Sequence, residues 1–404
     1  MRTFEPIRRA MAGSLVVAAV TTLGGGSARA SDHLDSPVVA ADPSADIGDL
    51  YAWTAPDGRR LNLVMTLVGH SFSDRLSYVF HVDSGAVFGK TTATTTITCR
   101  FASMQAANCR LGTADRAVGD PGRAEGLAGR KFRVFAGLRD DPFFNNVRGS
   151  RAAFTVAAAA LKAGTPLDGA GCPRFDAATA KAILGQWGHT DGGPGKNFLA
   201  GWTPASIVIS VDLDAVNRGG PLLAVWGATV SPERQVDRAG RPLTGNALLA
   251  PLGPASVSDQ LKDDYNRATP ATSSRFVPAI QESLGLYDGY DGTCANGLMG
   301  NSSEDIDVRY GALATLLADD RLWVNSAATA CTQLFAVERA AVAGEPALKA
   351  DCGGRAPSYN AVNVYRSLLV DGAPTGVDDG VDRDELTPSD SVFPFLRPPP
   401  AAGS

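Results

Sequence analysis

Six cysteines, Cys99, Cys109, Cys172, Cys294, Cys331 and Cys352, all follow a stretch that reads as an export leader. An even count of cysteines in an oxidising compartment implies three disulfides, which restrict the fold more than any other feature of the chain. Spacing alone leaves fifteen pairings open. The expected ones are Cys99–Cys109 across a short strand connection and Cys331–Cys352 tying a helix to the following loop, which leaves Cys172–Cys294. Metal binding by these thiols is the weaker reading, because no C-x-x-C spacing is present.

The leader runs through residues 1–30. Arg8 and Arg9 precede an apolar run over residues 10–23, and Ala28-Arg29-Ala30 has the small-x-small pattern of a cleavage site. The run is short and small residues follow it, so it fits a secretory signal peptide rather than a membrane-spanning helix. The expected location is therefore the periplasm or the extracellular space. Cleavage after Ala30 would leave about 374 residues, the length of one large domain or two ordinary ones. The leader carries Arg2, Arg8, Arg9 and Arg29 against Glu5, so its removal takes the net charge from -5 to about -8. That balance argues against nucleic acid and anionic membranes as partners. No later apolar run is long enough to span a bilayer.

Hydrophobic residues make up 44% of the chain, enough for a sizeable core, and the 44 Gly and 25 Pro imply many turns. Leu61, Leu63, Met65 and Leu67 alternate with Asn62, Val64, Thr66 and Val68, a period of two, and Pro56-Asp57-Gly58 supplies turn chemistry before them. Residues 49–54 and 60–68 are thus a predicted hairpin. Further strands are expected over 78–82, 91–101, 131–136, 206–211 and 222–230. Helices are expected over 151–163 and over 177–187 with Asp176 as N-cap, then over 274–284, 305–317 and 327–342. The predicted fold is mainly β, a β-sandwich-like core with helical insertions and a helical C-terminal section. Residues 31–250 would form the β-rich domain, with 251–404 packed on the same globule.

Asp32-His33-Leu34-Asp35-Ser36-Pro37 and the following run from Ala41 to Trp53 resemble the opening of the domain of unknown function 4331 family of exported bacterial proteins. So do the block from Val134 to Phe144, the block from Gln235 to Leu243, and the tail from Gly353-Gly354-Arg355 to Phe393-Pro394-Phe395-Leu396. The resemblance spans nearly the whole chain after the leader and implies export, but no activity. One departure stands out. The family pattern leads one to expect an aromatic and an Asp after Asp141-Pro142-Phe143-Phe144, and this chain has Asn145-Asn146.

Several groups could carry chemistry. A free amine at Ser31, two amides and the His33 imidazole would give Ser31-Asp32-His33 the square-planar donor set that suits Cu(II). The alternative is a packed or solvated histidine. Asp35, Asp42, Asp46 and Asp49 could supply oxygen ligands to Ca²⁺, or cap turns. The run Asp378, Asp379, Asp382, Asp384 and Glu385 around Gly380 resembles a calcium loop without full EF-hand spacing; otherwise it is a solvated acidic loop. His81 and Asp83 would share one face of a strand, as a His–carboxylate pair or an exposed polar face, and His70 and His189 complete the histidines after the leader. Arg139 to Phe144 reads as a strand end and Pro-fixed turn with two core aromatics, and Asp237, Arg238 and Arg241 as an ion pair beside a turn. G-x-S-x-G, H-E-x-x-H and C-x-x-C-H are absent. The favoured expectation is an exported, non-catalytic binding protein stabilised by a metal ion. The rivals are a metal-dependent periplasmic hydrolase or oxidoreductase and a cell-surface structural or adhesion protein. An aromatic-lined groove exposing Trp53, Trp202 or Trp226 would favour binding; convergent His and carboxylates in a cleft would favour an enzyme.

Overall fold

The computed structural model describes residues 36–399. The leader and Ser31, Asp32, His33 and Asp35 lie outside the described residues. The first strands are β1 (Ile47–Thr54), β2 (Arg60–Leu67), β3 (Ser77–Gly85), β4 (Ala93–Ser103), β5 (Ala106–Leu111), β6 (Asp115–Gly119), β7 (Leu127–Ala128) and β8 (Phe132–Leu138). They continue with β9 (His189–Thr190), β10 (Gly193–Pro194), β11 (Ala205–Asp212), β12 (Leu222–Val230), β13 (Gln235–Ala239) and β14 (Leu322–Asn325). The helices are α1 (Pro37–Ala40), α2 (Val147–Lys162), α3 (Ala177–Trp187), α4 (Leu213–Val216) and α5 (Thr244–Leu248). They continue with α6 (Ala255–Asn266), α7 (Val277–Asp288), α8 (Ile306–Asp319), α9 (Ala336–Val342) and α10 (Ala361–Asp371).

The expected 56–58 turn joins β1 to β2: Gly58 takes φ +67° and the Asp57 carboxylate accepts from Arg59 N at 3.0 Å. One antiparallel sheet runs β1-β2-β11-β8-β7, and a second runs β13-β12-β3-β4-β5-β6 with β14 also paired to β12. Leu61, Leu63, Met65 and Leu67 of the first sheet and Tyr78, Phe80 and Val82 of the second are buried in one core. A Cβ on Gly227 would stand 2.6 Å from the Met65 methyl, so the two sheets pack closely at this point. This is the predicted sandwich with helical additions.

The other face of the first sheet is also covered. Tyr51, Trp53, Val64, Phe135 and Val208 pack under Ala356, Phe395 and Leu396 of the tail. The period-two alternation of β2 therefore separates two buried layers, and the Asn62 side-chain oxygen accepts there from Ser210 Oγ at 3.0 Å. Gly353 and Gly354 bring the tail in, both with φ near +64°. A Cβ on Gly354 would lie 2.2 Å from the Ala52 carbonyl. Beyond them Arg355 exchanges backbone hydrogen bonds with Ala52 at 2.9 and 3.0 Å. Its guanidinium reaches Asp49 at 2.5 Å and lies over the Tyr51 ring at 4.2 Å.

The residues after 251 share the main core and contribute β14 to the second sheet. Two helical expectations change. The stretch 274–284 divides into a 3₁₀ turn, Pro270–Phe276, and α7, because Pro278 fits only a first turn. Of 327–342 only Ala336–Val342 is helical. Residues 330–332 are drawn instead to the strand-like stretch at 351–352, with Cys352 N on Ala330 O at 2.7 Å and Thr332 on the Asp351 carboxylate. The Cys331–Cys352 bridge thus joins two loops rather than a helix and a loop.

All three disulfides pair as expected: Cys99–Cys109, between directly opposed residues of β4 and β5, Cys172–Cys294 and Cys331–Cys352. Denatured but unreduced protein should therefore take up no thiol reagent; stoichiometric labelling would contradict the pairing. Replacing Cys172 and Cys294 by Ser should cost the most of the three pairs, about 4–5 kcal/mol in the chain-entropy view, because that bridge closes the longest loop. Urea unfolding of the three double variants measures the order.

Candidate binding site

Two loops build the most unusual part of the molecule. The first, residues 139–146, runs from the end of β8 into α2. The second, residues 378–385, follows α10. Asn146 joins them. Its backbone N–H donates to the Asp379 carboxylate at 2.9 Å, and its side-chain amide donates to the carbonyls of Trp187, His189 and Asp379 at 2.9 to 3.2 Å. Its side-chain oxygen caps α2 by accepting from Gly149 N at 3.0 Å and also accepts from Thr190. Gly149 is needed beside it, since a Cβ there would sit 2.4 Å from the Trp187 carbonyl. Asn146 is therefore a fully used hub.

At the outer end of the loop pair Asp140, Asp384 and Glu385 place carboxylate oxygens within 4.8 Å of one another. Burial, then hydrogen bonds to Glu385 and Asp140, push the Asp384 carboxyl up to about 9. Burial raises Asp140 to about 6, while Glu385 is held below its usual range by its bonds to Asp384 and the Gly201 N–H. Asn197 donates to Asp384 at 2.9 Å. Three carboxyls this close need protons or a cation between them, and an all-oxygen set of this kind suits Ca²⁺. The other acid–sulfur grouping, Asp168 with Cys172 and Cys294, has its sulfurs committed to a disulfide.

At the inner end Asn145 faces a cavity of about 360 Å³. Helix α2 contributes Arg151 and Phe154, α7 contributes Tyr287, and α10 contributes Arg366; α6 closes it with Ala255, Ser258, Asp259 and Lys262. Those four α6 positions recur at helical spacing, so one face of α6 forms the wall. Arg366 and Asn145 are 96% and 94% buried. Yet the Asn145 side-chain oxygen and Nε and Nη1 of Arg366 have no hydrogen-bond partner. The Tyr287 hydroxyl is pushed up to about 12 by burial, eased only by the neighbouring Arg366, and its proton has no acceptor. Leaving such groups dry costs about 1–3 kcal/mol each. Leu243 and Ala250 also line the cavity in left-handed backbone conformations, φ +65° and +56°, which a non-glycine residue adopts only when its surroundings enforce it.

The sequence candidates are distributed differently. Asp42 caps the turn at Ser44, Asp46 is buried, and Asp49 is held by Arg355, so these three do not converge. Asp378 bonds Asn363 and Gly380 N, Asp379 bonds Asn146 and Val381 N, and Asp382 is exposed. Of the acidic run, Asp384 and Glu385 join the carboxylate group, completed by Asp140, which the sequence marked only as structural. His81 and Asp83 do share a face, but Asp83 binds Arg321 and Thr94. His81 stacks on Trp226 at 3.8 Å, and burial lowers it to about 4. His70 bonds Thr203 O and His189 bonds Gly185 O, both outside the cavity. Trp53 and Trp226 are buried, and Trp202, 37% exposed, stands against His70. Arg238 and Arg241 reach across to Asp320 and Glu338. Arg366 was missed, although a lone Arg three residues before Leu369 and four after Val362 in an apolar helix face is a visible signal.

No family model, no curated protein and no solved structure matches this chain.

Asn146→Ala should lower stability on the order of 3 kcal/mol, because it uncaps α2 and orphans the three carbonyls it serves. A change under about 0.5 kcal/mol in urea unfolding would contradict the hub. The raised carboxyls give a pH signature. Their folded pKa values lie above the unfolded ones, so the native state favours the neutral form. Their contribution is therefore complete below about pH 4 and is lost as pH rises through about 6 and then about 9. With a chelator present, Asp384→Asn should flatten the decline of the melting temperature above pH 5. An unchanged slope would show that the cluster does not share protons.

Proposed function

We propose that this is an exported binding protein that holds a small molecule in the cavity between α2, α6, α7 and α10. The observation that carries the reading is the set of buried, unsatisfied polar groups from Asn145, Tyr287 and Arg366, all on the wall of one cavity. Several such groups left dry on one wall would be costly, which supports a polar occupant there. The volume lies within the range of small-molecule sites, and the lining mixes apolar surface with a few fixed polar groups. Export is supported by the leader-like N-terminus and by three disulfides, which suit an oxidising compartment. Among the described residues no helix is long and apolar enough to cross a membrane. Membership of the domain of unknown function 4331 family, on the residues quoted above, belongs to the same proposal.

The test is a small-fragment screen by NMR on the native protein and on Ala255→Trp. Ala255 is an exposed first-turn residue of α6 at the cavity wall, so a bulky ring there should close the site without disturbing the core. Fragments should bind the native protein and be lost from the variant. Equal binding to both, or none to either, would remove the cavity as the functional site.

A further inference from the structure

A second cavity, of about 450 Å³, lies end to end with the first. Its walls are largely apolar, with Leu161, Leu167, Leu252, Leu286 and Ile306, and its polar lining side chains are Ser283 and the exposed Glu282. The two cavities share residues 250, 251 and 253. They also share two helices. On α2, Arg151 and Phe154 line the polar cavity and Leu161 the apolar one. Phe154 and Leu161 are two turns apart on one face, a rise of about 10 Å. On α7, Tyr287 lines the polar cavity and Ser283, one turn back, the apolar one. The groove between α2 and α7 is thus polar and cationic at one end and apolar at the other, with the turn at 250–253 laid across it. That turn is tied down at its start: Ser283 Oγ donates to Leu248 O at 2.9 Å and Ser258 Oγ to Leu249 O at 3.1 Å. It closes on itself through Gly253 N to Ala250 O at 2.9 Å.

We infer that the ligand is an amphipathic carboxylate, its head against Arg366 and Tyr287 and its apolar chain running beneath the 250–253 turn toward Leu161 and Leu286. Three cationic side chains, Arg151, Lys262 and Arg366, line the polar cavity against one lining carboxylate, Asp259, with the Asp379 carboxylate also in the field of Arg366, in a chain whose net charge is -5. A guanidinium offers its planar fork of donors to a carboxylate in two parallel hydrogen bonds. The unsatisfied Nε and Nη1 of Arg366 and the proton of Tyr287 are donors that a carboxylate would accept. Phe154, Leu243 and Ala247 flank the head, and the lining farther along is apolar apart from Ser283, whose hydroxyl is already bonded to Leu248 O, and the exposed Glu282, whose carboxylate would repel a second anionic group there. A helix-lined groove of this kind selects by the combination of charge and chain, since neither end alone is large.

This inference rests on the cavity reading proposed above. Isothermal titration with decanoate, decanol and acetate, each on the full exported chain, separates the two. Decanoate should bind at least tenfold more tightly than either of the others. Arg366→Gln should erase the preference for decanoate over decanol. Tyr287→Phe, which leaves the ring packing intact, should weaken decanoate several-fold and leave decanol unchanged, so the test does not depend on the Arg366 variant folding. Leu161→Trp should block the long chain and spare acetate. Decanol binding as tightly as decanoate would overturn the anionic head, and acetate matching decanoate would overturn the apolar tail. If fragments bind the cavity and none of the three probes does, the ligand class is wrong and the cavity reading stands. If neither fragments nor probes bind, both fall.

Discussion

The buried pair of Asp49 and Arg355 is the contact on which the remaining architecture turns. It joins the first strand to a residue more than 300 positions later, with both side chains almost wholly removed from water. Burial lifts the Asp49 carboxyl to about 6 despite the guanidinium beside it, so the pair is a costly arrangement that only close geometry maintains. Breaking such a pair by removing one partner typically costs about 3–5 kcal/mol. Everything the tail contributes lies downstream of this anchor. The tail covers the outer face of β1, β2, β8 and β11, supplies Arg366 through α10, and supplies Asp379 and Asp384 through the loop that holds Asn146 and Asp140.

The candidate site is therefore a product of two distant segments. The 139–146 loop alone would leave Asn146 without Asp379 and Asn145 without a wall opposite. The carboxylate cluster at one end and the cavity at the other share this loop pair, and Asn197 bridges them, bonding Asp384 with its amide and Asn145 N with its oxygen. The pair behaves as a clip that fixes the entrance to α2.

Much of this was legible in the sequence. The hairpin at 49–67, the inward set of β2 and β3, the Asp176 and Asp305 helix starts and the disulfides follow from local patterning and cysteine arithmetic. Short-range signals also explain the failures. The polar-looking face of β2 is buried because the tail comes from far along the chain, which no local period encodes. Helix 327–342 shrank because a strand-like pairing with residues 351–352 outcompeted helical propensity. Asp42, Asp46 and Asp49 are close in sequence, yet each has a different partner in space, whereas Asp140 and Asp384 are distant in sequence and meet. Metal-ligand spacing can be read only where one segment supplies the ligands. Arg366 was readable in principle, as a charge on an apolar helical face, but no helix was expected over 361–371.

Native-state hydrogen exchange on Arg355→Met tests the central claim, that docking of the tail builds the cavity. The account predicts lost protection at Ala52 and Arg355 that spreads to α10, the 378–385 loop and the first turn of α2, with the rest of the sandwich unchanged. Loss confined to the amides around Ala52, with α10 and the α2 N-terminus as protected as in the native protein, would contradict it.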